Sequence, residues 1–486
     1  MTVPACVAMA SGLTFGSCIA ASSASSCSRR RLLSQRRGRA AVAPAVGVKV
    51  LQVVAREGLE GRPRVDLVDG RPVTGPDLRV TVNGLKFPNP FVIGSGPPGT
   101  NYAVMKKAFD EGWGGVVAKT VSLDAALVKN VTPRYAKLKS ADGAEVIGWQ
   151  NIELISDRPF EVMLAEFKRL KEEYPDRILI ASIMDEYKRE NWVEIVTRCE
   201  AAGVDAFEIN FSCPHGMPER KMGAAMGQDC EVLAEVCGWV HEVATIPVWA
   251  KMTPNITDIT EPARVCLDSG LEGVTAINTI MSVMGVNLDT LRPEPTVEGY
   301  STPGGYSYKA IRPIALEKCM QLAQVIKANY SLGAPVASAT HAAVPAHAGA
   351  PPAAPSPIAP TAGAASSPAP RSLSGMGGVE TGFHAAEFIL LGSNTVQVCT
   401  GVMVHGYPLV QNLCAELQQF MAKHEFQSVE DFRGLSLGYF TTHTDLVHRQ
   451  REAVDKKKKA RVGIASDDKW TGDGFVEESE SMVSNK

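Results

Sequence analysis

The chain has 486 residues, of which 45% are hydrophobic and 21% are charged, and its formal net charge is −3. This composition is ordinary for a globular protein with one large domain or a few small ones. The near-neutral charge argues against nucleic-acid binding, which needs a basic face. The sequence has no run of about 18 apolar residues, so no membrane-spanning helix is predicted. The eleven cysteines form no CxxC pair, so no zinc ribbon or cysteine-ligated iron–sulfur cluster is expected, and no metal site is predicted.

Two segments depart from this average composition. Residues 1–48 are rich in serine and alanine, contain six arginines and have no acidic residue. This pattern predicts an organelle transit peptide; a disordered basic tail is the alternative. The serine and alanine content favours the plastid, with the mitochondrion as the alternative destination. Residues 333–371 consist largely of alanine and proline and have almost no charged or large apolar side chains. Such a segment cannot bury enough surface to order itself, so it predicts a disordered insertion.

Outside these segments, short apolar runs alternate with patterns typical of amphipathic helices. The runs are FVIGS (91–95), GVVAKT (115–120), ILIASI (178–183), AFEINFS (206–212), PVWAKMT (247–253), GVTAINT (273–279), SLSGMGG (372–378) and TVQVCTG (395–401). Near-continuous strands that alternate with helices predict a parallel α/β sheet, and eight such units predict a (β/α)8 TIM barrel. The predicted barrel domain spans 77–424, and a C-terminal extension follows at 425–486.

A doubly wound dinucleotide-binding sheet is the alternative, because GSGPPG (94–99) formally matches the GxGxxG pattern. Its two prolines, Pro97 and Pro98, lack the N–H groups that a pyrophosphate would use. The second strand also ends in Lys119 and Thr120, where a dinucleotide fold needs an acid for the ribose. We therefore interpret the match as accidental.

The chemistry of a (β/α)8 barrel lies at the carboxyl ends of its strands. Most of the predicted strands end in polar residues or glycine, namely Ser95, Lys119–Thr120, Asn210–Ser212–Cys213, Lys251–Thr253, Asn278–Thr279, Gly377–Gly378 and Cys399–Thr400. One polar end means little, but this recurrence predicts a binding site at that face of the barrel.

Lys119 and Lys251 end strands that are otherwise apolar. A lysine inside a barrel mouth is costly unless it meets a negative partner, so the pair favours an anionic cofactor or intermediate; a side chain that extends to solvent is the alternative. The GMGG and CTG sequences follow strands seven and eight, where such barrels commonly bind phosphate. Tight turns without a ligand are the other interpretation.

Asparagine and cysteine indicate the chemistry of the substrate. Asn210 and Asn278 end strands four and six, and Asn151 is placed on the loop after strand two. Carboxamides offer a donor and an acceptor side by side, which suits a ligand edged with C=O and N–H groups, such as a pyrimidine; loop-capping asparagines are the alternative. A thiol with an ordinary pKa of about 8.5 stays protonated at neutral pH, so Cys213 is either a general acid or an inert loop cysteine.

Five longer sequences carry a resemblance to a known family: NFSCPHGMPERKMGAAMGQD, WAKMTPNITDI, INTIMSVMG, GGYSYKAIRPIAL and GGVETGFHAAEFILLGSNTVQVCTG. They resemble the pyrimidine-reducing barrel of the dihydropyrimidine dehydrogenases, most closely the short plastid-type form of plants and algae. The resemblance extends from about Val80 to the C-terminus and is interrupted only by the alanine- and proline-rich segment.

The resemblance implies an FMN-containing barrel that reduces uracil and thymine with NADPH as electron donor, and it suggests a homodimer. It implies that the flavin is held by Gly94, Ser95, Lys119, Thr120, Lys251, Gly305, Ser307, Gly377, Gly378, Cys399 and Thr400. It implies that the pyrimidine is bound by Asn151, Asn210, Ser212, Asn278 and Thr279. Cys213 would then deliver a proton to C5 of the pyrimidine while reduced flavin delivers hydride to C6.

Larger members of the family carry further domains for FAD, NADPH and iron–sulfur clusters, and this chain lacks both the cysteine clusters and a convincing dinucleotide motif. Either NADPH meets the flavin of the barrel directly, or a partner protein relays electrons. The nearest alternative is a class 1 dihydroorotate dehydrogenase, which usually has SCPN where this chain has SCPHG. A flavin-free phosphate-binding barrel and a non-catalytic binding protein are more distant alternatives.

Overall fold

The structure is a computed structural model that describes residues 59–124, 128–213, 222–330 and 370–460, with side chains as far as 454. The predicted transit peptide (1–48) and nearly all of the predicted insertion (333–371) lie outside the described residues. Residues 214–221, which follow Cys213 in the SCPHG loop, lie outside them as well.

The strands are, in chain order, β1 (Leu67–Val68), β2 (Arg71–Pro72), β3 (Val80–Val82), β4 (Leu85–Phe87), β5 (Phe91–Ile93), β6 (Gly115–Val117), β7 (Tyr135–Lys139), β8 (Val146–Asn151), β9 (Ile178–Ile183), β10 (Ala206–Asn210), β11 (Val248–Lys251), β12 (Gly273–Ala276), β13 (Ile280–Ser282), β14 (Val286–Asn287), β15 (Arg292–Pro293), β16 (Gly304–Ser307), β17 (Ser372–Met376) and β18 (Thr395–Val398). The helices are α1 (Tyr102–Glu111), α2 (Phe160–Glu173), α3 (Arg189–Ala201), α4 (Ala224–Gly227), α5 (Cys230–Val243), α6 (Thr260–Asp268), α7 (Arg312–Asn329), α8 (Gly382–Leu390), α9 (Thr400–His405), α10 (Leu409–Lys423) and α11 (His443–Ala460).

Eight of these strands close into a parallel barrel in the spatial order β10, β11, β12, β17, β18, β5, β6 and β9. All eight lie within the apolar runs predicted from the sequence, and the predicted helices follow them as α1, α2, α3, α5, α6, α7, α8 and α10. The predicted (β/α)8 barrel is therefore confirmed. The doubly wound sheet is excluded, because that fold has an open sheet with free edges.

The barrel strands are mainly apolar because they are covered on both faces. All residues of β9, from Ile178 to Ile183, are buried. The helices that cover the barrel bury one stripe each, and α2 buries Phe160, Met163, Phe167 and Leu170 at spacings of three and four residues. The strands and the helices could therefore be distinguished in the sequence by the spacing of their apolar residues.

A hairpin of β3 and β4 covers the amino-terminal end of the barrel. Val80, Val82 and Phe87 of this hairpin are buried in the main apolar core. A Cβ added to Gly115, at the first residue of β6, would lie 3.0 Å from the ring of Phe87. Side chains of the hairpin thus pack against the amino-terminal end of the barrel.

A separate antiparallel sheet lies at the carboxyl end, in the order β13, β16, β8 and β7, and we call it the mouth sheet. Its strands belong to the connections that follow the second and sixth barrel strands. Asn151 is the last residue of β8 and pairs with Gly305 of β16 and Tyr135 of β7. The placement of Asn151 on a loop was therefore wrong. The sequence of β8, VIGWQN, mixes polar and apolar residues without regular alternation, so it has no period that distinguishes it from a loop.

The start of the predicted C-terminal extension packs on the barrel. Val429, Phe432 and Leu437 are buried in the main core, whereas Leu446 of α11 is exposed. None of the helices in the described part of the chain combines the length and the apolar character needed to cross a membrane.

Candidate active site

A cavity, here called the mouth cavity, opens at the carboxyl ends of the barrel strands and encloses about 850 Å³ when the solvent-filled opening is included. Most of the predicted site residues line it, namely Ser95, Lys119, Thr120, Asn151, Asn210, Cys213, Lys251, Asn278, Thr279, Ser307, Cys399 and Thr400. These residues are distant in sequence, and the closure of the barrel brings them together.

A smaller cavity of about 410 Å³, the glycine cavity, shares Asn278, Thr279, Ser307, Met376, Cys399 and Thr400 with the mouth cavity. Gly377 and Gly378 line its wall. Gly378 has a φ of 69°, and a Cβ there would lie 2.9 Å from the carbonyl oxygen of Tyr308, so the position requires glycine. The GMGG and CTG sequences, which were predicted to bind phosphate, thus lie side by side.

Three of the predicted residues lie behind the cavity walls. A Cβ on Gly94 would come within 2.6 Å of Met376 Cε, and a Cβ on Gly305 within 2.2 Å of Thr279 Oγ1. Ser212 is fully buried. These residues can affect a ligand through the wall residues that they contact and support.

Asn210 lies at the centre of a hydrogen-bond network. Its Nδ2 donates to Thr120 Oγ1 at 3.0 Å. Its Oδ1 accepts from the backbone N–H of Ser212 at 3.1 Å and from Asn278 Nδ2 at 3.3 Å. Thr120 is bonded in turn to Ser182 Oγ at 2.8 Å. Because each amide group has a partner of the matching kind, the orientation of the Asn210 carboxamide is fixed.

Three carboxamides converge on the mouth cavity, one from the mouth sheet, one from β10 and one from the connection between β12 and β13. Asn151 of the mouth sheet donates from Nδ2 to the carbonyl oxygen of Gly305 at 3.3 Å. Asn278 accepts at Oδ1 from the backbone N–H of Thr279 at 2.9 Å. Together with Asn210 they present donors and acceptors of fixed orientation, which suits a planar ligand edged with C=O and N–H groups.

Cys213 lies three residues after the end of β10 and is 7% exposed. It packs in a small apolar cluster with Val128, Ile155, Met184 and Met222, and it also lines the mouth cavity. The thiol therefore lies on the same cavity as the three carboxamides. That is the position needed to give a proton to a ligand that they hold.

Glu153 lines the mouth cavity as well, and the sequence interpretation missed it. Its Oε2 lies 3.2 Å from Lys119 Nζ, and its Oε1 lies 3.2 Å from Arg134 Nε. Lys119 Nζ also donates to the carbonyl oxygen of Leu154 at 3.0 Å. Glu153 lies two positions after the end of β8, where the sequence carries no strand or helix period that could have revealed it.

Glu208, inside the barrel, was also missed. This carboxylate is fully buried, and its Oε1 lies 3.3 Å from Lys251 Nζ. Its Oε2 accepts from Thr275 Oγ1 at 2.9 Å and from Gln397 Nε2 at 2.6 Å. Both lysines of the mouth cavity thus have a carboxylate of the protein beside them, so their burial alone does not require an anionic cofactor.

Cys399 and Thr400 lie where the two cavities meet. Burial raises the pKa of the Cys399 thiol to about 11, so this thiol is neutral at physiological pH. A Cβ on Gly96 would lie 2.5 Å from Cys399 Sγ, and Thr400 Oγ1 lies 3.0 Å from Ser307 Oγ.

No metal site is found among the described residues. In these ranges, no three His, Cys, Asp or Glu side chains are grouped as a metal ion would need.

Comparison with known proteins identifies the family. Residues 77–350 match the dihydroorotate dehydrogenase family. The chain is 65% identical to the chloroplastic dihydropyrimidine dehydrogenase (NADP+) of Arabidopsis thaliana, over 84% of this chain and 88% of that protein. It is 38% identical to the PreA subunit of the NAD-dependent dihydropyrimidine dehydrogenase of Escherichia coli K12, over 76% and 79%. It is 28% identical to the catalytic subunit of dihydroorotate dehydrogenase B (NAD+) of Pyrococcus abyssi, over 74% and 99%.

The family match covers more than half of the chain. The alignments with the Arabidopsis and Escherichia coli relatives cover most of the length of those proteins. The barrel with its polar strand ends agrees with both findings. The chain belongs to the dihydroorotate dehydrogenase family of flavin-dependent oxidoreductases.

Proposed function

We propose that the protein reduces the C5–C6 bond of uracil and thymine to give 5,6-dihydropyrimidines, with FMN as cofactor and NADPH as electron donor. This is the first step of pyrimidine catabolism towards β-alanine. The observation that carries the proposal is the mouth cavity, which combines Cys213 with three carboxamides next to the glycine cavity. The name of the 65% identical Arabidopsis relative, dihydropyrimidine dehydrogenase (NADP+), supports the same reaction.

The residues present fit FMN. The glycine cavity is walled at Gly377 and Gly378, where side chains would collide with neighbouring atoms, so backbone can approach a phosphate closely. Ser95, Lys119, Thr120, Lys251, Ser307, Cys399 and Thr400 would line the remainder of the flavin site. Gly94 and Gly305 would shape that site through Met376 and Thr279.

The substrate would lie among the carboxamides. Asn151, Asn210, Asn278 and Thr279 would bind the C=O and N–H edges of the pyrimidine, and Ser212 would support Asn210 through its backbone N–H. When bound, the flavin supplies the hydride that adds to C6. Cys213 Sγ donates the proton that adds to C5, and its apolar neighbours limit the access of water to that face.

A class 1 dihydroorotate dehydrogenase activity is the second candidate, since the Pyrococcus abyssi relative is named as the catalytic subunit of dihydroorotate dehydrogenase B (NAD+). Orotate differs from uracil by a carboxylate, which needs a cationic partner. The basic residues among the described lining of the mouth cavity are Lys119 and Lys251, and each lies beside a carboxylate of the protein. This favours a neutral pyrimidine.

The source of electrons is a separate proposal. The matching proteins of Escherichia coli and Pyrococcus abyssi are named as subunits, whereas the Arabidopsis relative is named as an enzyme that uses NADP+. We propose direct use of NADPH, with an electron-donor protein as the alternative. The chloroplastic name of the Arabidopsis relative supports a plastid location, and we further propose a homodimer.

The deciding experiment is anaerobic oxidation of NADPH by the purified yellow protein, with uracil, thymine or orotate added. We expect uracil and thymine, but not orotate, to stimulate oxidation and to be converted to dihydropyrimidines. Stimulation by orotate alone would favour the second candidate. If dithionite supports uracil reduction and NADPH does not, a donor protein is required.

Gly305→Ala is expected to weaken pyrimidine binding. The added Cβ would lie 2.2 Å from Thr279 Oγ1, so Thr279 must move away from its place on the mouth cavity. We expect the KM for uracil to rise about two- to tenfold, the range for one lost hydrogen bond. Gly285→Ala is the control, because a Cβ there meets no atom within 4 Å. An unchanged KM in Gly305→Ala would remove Thr279 from the substrate site.

Replacing residues 336–370 with a short Gly/Ser linker should leave FMN content and uracil turnover nearly unchanged. The replaced segment connects α7, which ends at Asn329, to the amino end of β17 at Ser372, and the mouth cavity lies at the opposite ends of the strands. Loop-closure entropy changes by only about 0.6 kcal/mol for each doubling of length, so stability should change little. A variant that binds FMN but fails to reduce uracil would show that the segment reaches the active face.

A further inference from the structure

Glu380 joins three separate segments of the glycine cavity. It follows Gly377 and Gly378 on the connection between β17 and α8. Its Oε1 accepts a hydrogen bond from the hydroxyl of Tyr308, the residue after β16, and lies 2.7 Å from Nε2 of His405, the last residue of α9. One buried carboxylate thus contacts the segments that carry Ser307 and Thr400, and it belongs to the segment that carries the glycines.

The remaining contacts of Glu380 tie this carboxylate down further. Its Oε2 lies 3.3 Å from Lys309 Nζ, and its backbone carbonyl accepts from Arg62 Nη2 at 2.8 Å. Its side chain is 8% exposed. Burial by itself raises the pKa of Glu380, but the hydrogen bonds from His405 and Tyr308 outweigh it, so the pKa lies below its ordinary value. The group therefore stays ionised and accepts from all three side chains.

Tyr308 provides a second, independent observation. Its φ is 85° and its ψ is −157°, a region that is almost exclusive to glycine and is strained for other residues. The carbonyl oxygen of this strained residue is the atom 2.9 Å from the Cβ position of Gly378. Such a conformation persists only where the surroundings hold it. The buried bond between the Tyr308 hydroxyl and Glu380 holds it against the cavity wall.

We propose that Glu380 is a positioning residue that fixes the three segments of the glycine cavity in the arrangement that binds the phosphate of FMN. The proposal rests on the proposed function only in taking FMN as the cofactor. The role is distinct from direct contact, since a carboxylate would repel a phosphate. Glu380 acts through the backbone of Tyr308, of Gly378 and of α9.

The test compares FMN with riboflavin, which has the same ring system but no phosphate. The full chain is freed of flavin, and the Kd of each flavin is measured by quenching of flavin fluorescence. We expect the wild type to bind FMN at least about 100-fold more tightly than riboflavin. In Glu380→Ala this ratio should fall at least about tenfold, through weaker FMN binding, while the Kd of riboflavin changes by less than about threefold.

Two further variants separate positioning from charge and from misfolding. Glu380→Gln keeps an oxygen that can accept from Tyr308 and His405, so it should retain a ratio closer to wild type than Glu380→Ala. If Glu380 acted only as a charge, both variants would bind FMN more tightly than wild type, which would overturn the proposal. Tyr308→Phe removes the hydrogen bond from the Tyr308 hydroxyl to Glu380 with minimal change in volume and should lower the FMN-to-riboflavin ratio about threefold to tenfold. This variant tests the proposal even if Glu380→Ala does not fold.

Asp205→Asn is the matched control. Asp205 is also a partly buried carboxylate with an ammonium partner, Lys171 Nζ at 2.8 Å, and it accepts from the backbone N–H of Leu179. It lies near the amino ends of the strands, so its loss should lower stability without changing the FMN-to-riboflavin ratio. If Glu380→Ala and Tyr308→Phe both keep the wild-type FMN-to-riboflavin ratio, the positioning role is overturned while the FMN assignment stands. Equal affinity of the wild type for both flavins would overturn the FMN assignment itself.

Discussion

Replacing Cys213 with alanine should lower the rate of uracil reduction by about 10²–10⁴-fold, the usual contribution of a general acid. FMN content should stay at the wild-type level, because the thiol lies in an apolar cluster beside the carboxamides and away from the glycine cavity. The measurement is kcat at saturating uracil, with FMN counted from the absorbance of the purified protein. Cys213→Ser should also be slow, since a hydroxyl is a much weaker acid than a thiol.

The matched control for this prediction is Cys414→Ala. Cys414 is a buried thiol on α10, and burial raises its pKa, so it cannot ionise at neutral pH. This variant should lose some stability through the cavity that it creates, while kcat remains within about twofold of wild type. If Cys213→Ala turned over uracil at a near-normal rate, the proton would have to come from another group, and the assignment of Cys213 would fail.

Replacing Lys251 with methionine should destabilise the fold and weaken the hold on flavin. Glu208 would be left buried without its ammonium partner, and breaking one side of a buried ion pair costs about 3–5 kcal/mol of unfolding free energy. Loss of a cation from the flavin site should in addition lower FMN affinity and make the flavin harder to reduce, because reduction adds negative charge. Unfolding is followed with denaturant, and the reduction potential is measured on the loaded protein.

The double variant Lys251→Met with Glu208→Gln separates the two effects. It removes the Glu208 carboxylate that Lys251→Met leaves unpaired, and it keeps an oxygen that can accept hydrogen bonds from Thr275 and Gln397. We expect it to recover most of the lost stability but not the reduction potential. Unchanged FMN content and an unchanged potential in Lys251→Met would show that this lysine serves the barrel interior alone.

The barrel could be predicted from sequence because each strand carries its own signal. A strand covered on both faces has to be mainly apolar, as Ile178–Ile183 is apart from Ser182. A covering helix has to repeat its apolar residues at spacings of three and four, as α2 does. Closure of eight such units then places every strand end at one face. Ser95, Lys119, Asn210, Lys251 and Cys399 could therefore be assigned to one site before their distances were known.

The tertiary structure alone decided which partner each polar group has. Glu208 looked like one polar residue of an alternating strand, and only the register of β10 with its neighbours places it against Lys251, Thr275 and Gln397. The same holds for Asn151, which reaches the mouth cavity through pairing of β8 with β16.

The partners of Glu380 are the clearest example of contacts that the sequence does not reveal. These partners, Tyr308 and His405, are 72 and 25 residues away along the chain, and the contacts arise only when three connections meet beside the glycine cavity. Apolar periodicity is a local property and survives in the sequence. The pairing of buried charges depends on which strands and loops become neighbours, and that is fixed only when the barrel closes.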